Sequence, residues 1–146
     1  MMDKGEVVEH LNDLINLDID ASNSYLQAVE KIDDTSIQEQ MLTFREEHER
    51  HIDSLNGELQ KMGEKPSKRT KDFKGYLMEG FTALRSASGT SGALEAMKQN
   101  EKLVNKKYKE AVKWEVPEEV HRIIQENYED VQEHLMYINI KLDEIK

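Results

Sequence analysis

The chain contains no cysteine, which removes disulfide frameworks, thiolate metal sites and thiol redox chemistry. It has only 2 proline and 7 glycine residues in 146, too few turn-formers for a sheet-and-turn architecture. No run approaches the roughly 20 apolar residues of a membrane span. The opening Met1-Met2-Asp3-Lys4-Gly5-Glu6 lacks the apolar stretch of a secretion signal. Positive charge is in deficit, with 20 Lys and Arg against 30 Asp and Glu and a formal net charge of −10. Nucleic-acid binders gain affinity by neutralising phosphates, so this balance argues against such a partner. Also missing are a nucleophile constellation, a phosphate-cradling glycine loop and paired catalytic carboxylates on a cleft. Hydrolase, kinase and nucleotide-binding readings therefore find no support, and no catalytic residue is assigned. Together these absences lead us to expect a cytoplasmic globular protein.

What is present is helical periodicity. Four stretches carry apolar residues every three to four positions. The first, about 4–32, has the stripe Val7, Leu11, Leu14, Asp18, Ala21, Tyr25, Ala28, Ile32. The second, about 36–62, runs Ile37, Met41, Phe44, His48, His51, Leu55, Met62. Thr35 with Gln38, or Ser36 with Glu39, is expected to form a capping box at its start, and Gly63 to end it. The third, about 91–113, runs Leu94, Met97, Glu101, Val104, Tyr108, Ala111, with Thr90 or Ser91 as its cap. The fourth, about 117–145, opens on Pro117 and runs Val120, Ile124, Val131, His134, Ile138, Leu142, Ile145.

The connection 64–90 is expected to hold a short helix at about 71–85, with Phe73, Tyr76, Leu77, Phe81 and Leu84 on one face. Packing across the other helices accounts for that face. The lysines beside it make a membrane surface the alternative for residues 68–85. Two short turns and one long crossover imply an all-α fold, an antiparallel four-helix bundle in one domain spanning 1–146. A homodimer through the 73–84 segment or an exposed apolar helix face is a further expectation.

Each stripe includes ionisable residues near its middle: Asp18, His48 with His51, Glu101, and His134 with Asp130 one turn before it. At ~1.5 Å rise per residue these fall within about one turn of a common level. Carboxylates facing imidazoles offer ligands suited to iron, manganese or zinc. Glu47 and Asp130 are extra ligands that could swing in. Tyr25 and Tyr108, each seven residues after a core carboxylate, are candidate donors behind the ligands, or plain core aromatics. The alternative for the whole layer is a metal-free hydrogen-bonded network that sets helix register. His10 and His121 fall off the layer and are expected on the surface.

These residues resemble the ferritin-like superfamily. Asp18 with Tyr25 has the spacing of the first-helix ligand and its nearby tyrosine in bacterioferritins and rubrerythrins. His48-Glu49-Arg50-His51 and Val131-Gln132-Glu133-His134 stand where those proteins carry Glu-x-x-His, and Glu101 stands at the third-helix ligand position. More closely, nearly the whole chain resembles an uncharacterised bacterial ferritin-like domain of unknown function. The matching stretches are Leu17–Ala21, His48–His51, Asp72–Ser86 and Asn100–Lys102. The resemblance implies a ferritin-like bundle with a crossover and metal ligands at Asp18, His48, His51, Glu101 and His134. With such a metal, the expected function is oxygen or peroxide redox chemistry in stress response. Two departures stand against a carboxylate-bridged di-iron centre. His48 and Val131 occupy the places of the bridging glutamates, which makes a mononuclear or asymmetric dinuclear site easier to build.

Overall fold

The computed structural model describes residues 1–67 and 77–145. These form five α-helices and no strand: α1 (Lys4–Val29), α2 (Thr35–Lys61), α3 (Met78–Ser86), α4 (Gly89–Ala111) and α5 (Glu118–Ile145). Residues 68–76 lie outside the described residues, and with them the lysines, Phe73 and Tyr76 of the predicted amphipathic segment. Its described remainder is α3, which begins at Met78. No described helix is long and apolar enough to cross a membrane.

The helix ends follow from local chemistry and differ in places from expectation. Asp3 caps α1 through a capping box with Glu6. The helix stops three residues earlier than predicted, where Lys31 and Ile32 turn back onto the Ala28 and Val29 carbonyls. Asp34, rather than Thr35 or Ser36, caps α2, its side chain accepting from the Ile37 N–H at 3.0 Å. At the other end of α2 the Gly63 N–H donates to the Gln60 carbonyl and the Glu64 N–H to that of Leu59. This pairing needs the left-handed φ of 81° found at Gly63. α4 starts at Gly89, before the predicted position. Neither Thr90 nor Ser91 caps it, and the Thr90 hydroxyl accepts from the Asp33 N–H at 2.9 Å. α5 starts at Glu118, one residue late, with the Pro117 carbonyl accepting from His121.

Cross-helix bonds reveal the directions of the long helices. Asp18 of α1 pairs with Tyr108 of α4, and Tyr25 pairs with Glu101, so these two helices are antiparallel. Between α2 and α5, His51 pairs with Asp130 while Glu47 pairs with His134, which is again antiparallel. Short turns impose the same relation on α1 with α2 and on α4 with α5. α2 and α4 therefore run parallel, and the connection between them must climb the length of a helix. For the 27 residues of α2 that is roughly 40 Å. The long segment before α4 covers this distance, and its described helix α3 packs on α1 and α4.

Two apolar clusters fill the interior. One gathers Leu11, Leu14, Ile52, Leu55, Val104 and Ile124, and the other Ile37, Met41, Phe44, Leu94, Met97 and Ile138. The stripes account for most of them, while Met62 is only partly buried and Ile145 is exposed. α1 departs from the amphipathic expectation. Ile15, Leu17, Ile19, Asp20, Ser22 and Ser24 are buried along with the stripe, so its middle is covered on every side. The apolar Ile15, Leu17 and Ile19 between stripe positions were the signal for this, since a helix hydrophobic all round belongs inside.

The approach of α3 to α4 depends on Gly80. A Cβ there would stand 1.4 Å from Oδ1 of the buried Asn100. Gly80→Ala is expected to cost about 1–3 kcal/mol through overpacking. In the Asn100→Ala background, Gly80→Ala should cost less than it does in wild type. Thermal melts of the four proteins check this, and simple additivity would disprove the steric account.

Candidate metal-binding layer

Between the two apolar clusters lies a polar layer drawn from α1, α2, α4 and α5. Asp18 Oδ1 meets Nδ1 of His48 at 2.7 Å and Nδ1 of His51 at 3.1 Å. Its Oδ2 accepts from the Tyr108 hydroxyl at 2.5 Å, and the Tyr108 oxygen in turn accepts from Asn127 Nδ2 at 3.3 Å. Nε2 of His51 lies 2.8 Å from Asp130 Oδ2, which also accepts from Arg50 Nη2 at 2.8 Å. On the other side, Glu101 Oε2 accepts from the Tyr25 hydroxyl at 2.6 Å and meets His134 Nδ1 at 2.7 Å. Nε2 of His134 meets Glu47 Oε1 at 2.7 Å. Asp18, His48, His51, Glu101 and His134 are all at most 1% exposed, whereas the Asp130 and Glu47 side chains reach 25% and 23%.

The five expected core residues are thus brought together, and so are the extra ones. Glu47 and Asp130 hold the outer nitrogens of His134 and His51, where a carboxylate fixes ring orientation and tautomer. The tyrosines pair crosswise: each donates to the carboxylate of the other helix, not to the one seven residues before it. Antiparallel packing of α1 on α4 is the reason, because it sets residue 18 beside 108 and 25 beside 101. Asn127 was missed. It fills the gap between Ile124 and Val131 in the α5 stripe, and that gap was the available signal. His121 is exposed as expected, but His10 is half-buried with its ring edge-on to Trp114 at 4.5 Å.

Two polar atoms in the layer have no hydrogen-bond partner, Nε2 of His48 and Oε1 of Glu101. His48 Nε2 lies 3.6 Å from Glu101 Oε2, too far for a hydrogen bond. Unpaired buried polar atoms cost free energy and call for an explanation. Among the described residues, two sets of three could hold a cation: Asp18, His48 and His51, and His48, Glu101 and His134. Within each set the donor atoms lie within 4.8 Å of one another. At metal–ligand bonds of about 2.1 Å, tetrahedral ligands stand roughly 3.4 Å apart. Small side-chain shifts convert one arrangement into the other.

Burial and charge oppose each other throughout the layer. Burial works against a charged His48, but its hydrogen bond to Asp18 and the charges of Glu101 and Asp18 outweigh this and raise its pKa to about 10. His51 is also raised, burial being outweighed by the charge of Asp18 and the bond to Asp130. Burial would raise Asp18 and Glu101, yet the histidines facing them hold both below the ordinary carboxylate range. Burial, then the adjoining carboxylate, pushes Tyr25 and Tyr108 well up, so both hydroxyls keep their protons and donate.

These shifts give the metal-free protein a pH optimum. A raised histidine adds stability in full below its unfolded value of 6.5, and for His48 this is lost as pH rises through about 10. Depressed carboxylates add stability above their unfolded values of 3.8 and 4.5, and lose it as pH falls toward the folded ones. Urea midpoints should therefore be highest between about pH 4.5 and 6.5 and fall on both sides. His48→Leu should flatten the alkaline limb. A midpoint that keeps rising from pH 6 to 10 would contradict the assignment.

The profile of one protein family, described as a domain of unknown function (DUF2383), matches residues 6–114. The matched span takes in α1 to α4 with Asp18, His48, His51 and Glu101, and stops before α5 with His134. No curated protein matches the chain. No solved structure matches it either.

Proposed function

The chain belongs to that domain-of-unknown-function family, and because the family description assigns no activity, we propose from the site itself that it is a metal-binding protein. In this reading it is a single ferritin-like domain, a four-helix bundle with one long crossover between α2 and α4. Asp18, His48, His51, Glu101 and His134 hold the metal. Tyr25 and Tyr108 donate to the carboxylates behind it. Glu47 and Asp130 orient the histidines through their outer nitrogens.

The observation that carries the reading is the pair of orphaned buried atoms, His48 Nε2 and Glu101 Oε1, on residues of two cation-sized ligand sets that share His48. A bound cation would satisfy both atoms and offset the buried carboxylates. Mixed imidazole and carboxylate donors suit iron, manganese or zinc. A redox-active metal there would supply electron transfer to oxygen or peroxide, a chemistry that fits a role in stress response. The protein's part is to fix the ligands, keep bulk water out between two apolar clusters and aim the tyrosine O–H groups at the carboxylates.

The test is elemental analysis of protein purified without chelator and then loaded separately with Fe(II), Mn(II) and Zn(II). Wild type should retain metal after desalting. His51→Ala should weaken binding by at least about 10–100-fold. Retention below about 0.1 ion per chain with all three metals would end the reading.

One observation favours a second reading. Every other ring nitrogen in the layer already meets a carboxylate within hydrogen-bonding distance. A metal-free network that fixes helix register would look the same. It requires that the His48→Leu/His51→Leu double variant, at a temperature where it is folded, keep its cellular role. Loss of function in a folded double variant would count against it.

A further inference from the structure

We infer that His48 bridges two metal ions, one in each half of the layer. The inference rests on the metal-binding reading above and adds the nuclearity and the bridging group. The layer has an approximate two-fold relation that exchanges α1 with α4 and α2 with α5. Asp18 corresponds to Glu101, His51 to His134, Asp130 to Glu47 and Tyr108 to Tyr25. The distances repeat as well. Histidine Nδ1 to carboxylate is 3.1 and 2.7 Å. Histidine Nε2 to the outer carboxylate is 2.8 and 2.7 Å. Tyrosine to carboxylate is 2.5 and 2.6 Å.

Among the candidate ligands, His48 is the one without a counterpart. It stands three residues before His51, and three residues before His134 stands Val131. It is therefore surplus to either half, and it is the one residue common to both ligand sets. Its ring nitrogens face opposite halves, Nδ1 toward Asp18 at 2.7 Å and Nε2 toward Glu101 at 3.6 Å. Nε2 is fully buried and unpartnered, and it faces the Glu101 carboxylate, whose Oε1 is unpartnered too.

An imidazole ring can present one in-plane lone pair from each nitrogen, on opposite edges. It can serve two cations at once, but any one cation through a single nitrogen only. Each ion would then have one nitrogen of His48, a second histidine and a carboxylate, three protein ligands with coordination positions left open. In each half the outer carboxylate holds Nε2 of the second histidine, which leaves Nδ1 to face the centre. At His48 each N–H is exchanged for an N–metal bond and the displaced protons pass to solvent, so the bridging ring is the imidazolate. Carboxylate bridges hold paired ions about 3.5–4 Å apart. A ring between them keeps them further apart while still coupling their electrons.

Cu(II) titration of the metal-free protein tests the bridge, since its unpaired electron reports coupling. Copper retained after gel filtration is measured by elemental analysis, and the EPR signal is integrated on the same sample. Two coppers per chain with most of the EPR intensity lost are expected. His48→Leu should restore full intensity per copper, with His48→Gln as the second variant should the first fail to fold by circular dichroism. One copper per chain with full intensity would overturn the bridge and leave a single-ion site standing. Two coppers with full intensity would also overturn it, because surface-bound ions do not couple. Copper uptake unchanged in the His51→Ala/His134→Ala double variant would place the ions elsewhere and overturn both the bridge and the metal-binding reading.

Discussion

Replacing Glu101 with Leu is expected to lower the unfolding free energy of the metal-free protein by about 3–5 kcal/mol. Glu101 is 1% exposed and takes the Tyr25 hydroxyl and His134 Nδ1 on one oxygen. Removing it leaves two buried donors facing hydrocarbon with no water to replace the lost partner. Domains of this kind are stable by only about 5–15 kcal/mol, so the loss is a large share of the total. The cost comes from orphaning the partners rather than from the ion pair itself. The triple variant Tyr25→Phe/Glu101→Leu/His134→Leu removes the donors together with the acceptor, and should lose far less than the sum of its single changes. Urea denaturation with unchanged m-values is the measurement. The exposed pair Lys61–Glu119 sets the contrast: Lys61 is 58% exposed there. Lys61→Ala should cost no more than about 1 kcal/mol, because water already screens the charges. A Glu101→Leu cost as small as that of Lys61→Ala would mean that solvent reaches the layer.

Zn(II) at about 1,000 times its dissociation constant is expected to stabilise the wild-type protein by about 4 kcal/mol. For a chain of this size that is a rise in melting temperature of roughly 8–16 °C. The ions bind the folded layer, whereas the unfolded chain offers its histidines and carboxylates scattered along the sequence. His51→Ala should show little of the shift. The shift should also shrink as pH is lowered from 8 to 6, because a metal can take a ring nitrogen only after its proton leaves. Differential scanning calorimetry with Zn(II), Mn(II) and anaerobic Fe(II) measures all three effects. Equal melting temperatures with and without every metal would favour the register-setting network.

Much of the core and of the layer could be read from periodicity. A charge or imidazole in a three-four repeat marks a buried polar side chain, because helix geometry alone decides which positions share a face. Asp18, His48, His51, Glu101 and His134 were found in this way. Partnership could not be read so directly. The heptad spacing of Asp18 to Tyr25 and of Glu101 to Tyr108 suggested pairs within a helix, and the bonds run between helices. Glu47 and Asp130, read as ligands that could swing in, instead meet the outer nitrogens of His134 and His51. Asn127 filled the gap that the α5 stripe leaves between Ile124 and Val131, and only its burial beside Tyr108 gave that gap a meaning. α1 was expected to keep a solvent face, yet Asp20, Ser22 and Ser24 are buried. Coverage from the rest of the chain decides such burial, and a single helix carries only faint signs of it.

The sequence by itself determined the helical class, the extent of the long helices to within a few residues, and which side chains face inward at mid-length. Each of these depends on interactions within about one turn. Only the tertiary structure decided which inward groups meet. The parallel run of α2 and α4 sets α1 against α4 and α2 against α5 in opposite directions. That register assigns Tyr108 to Asp18 and Tyr25 to Glu101, and leaves His48 between two matched halves. A rise of about 1.5 Å per residue makes height legible along one helix. Contact between helices depends on direction and rotation, which the packed core supplies.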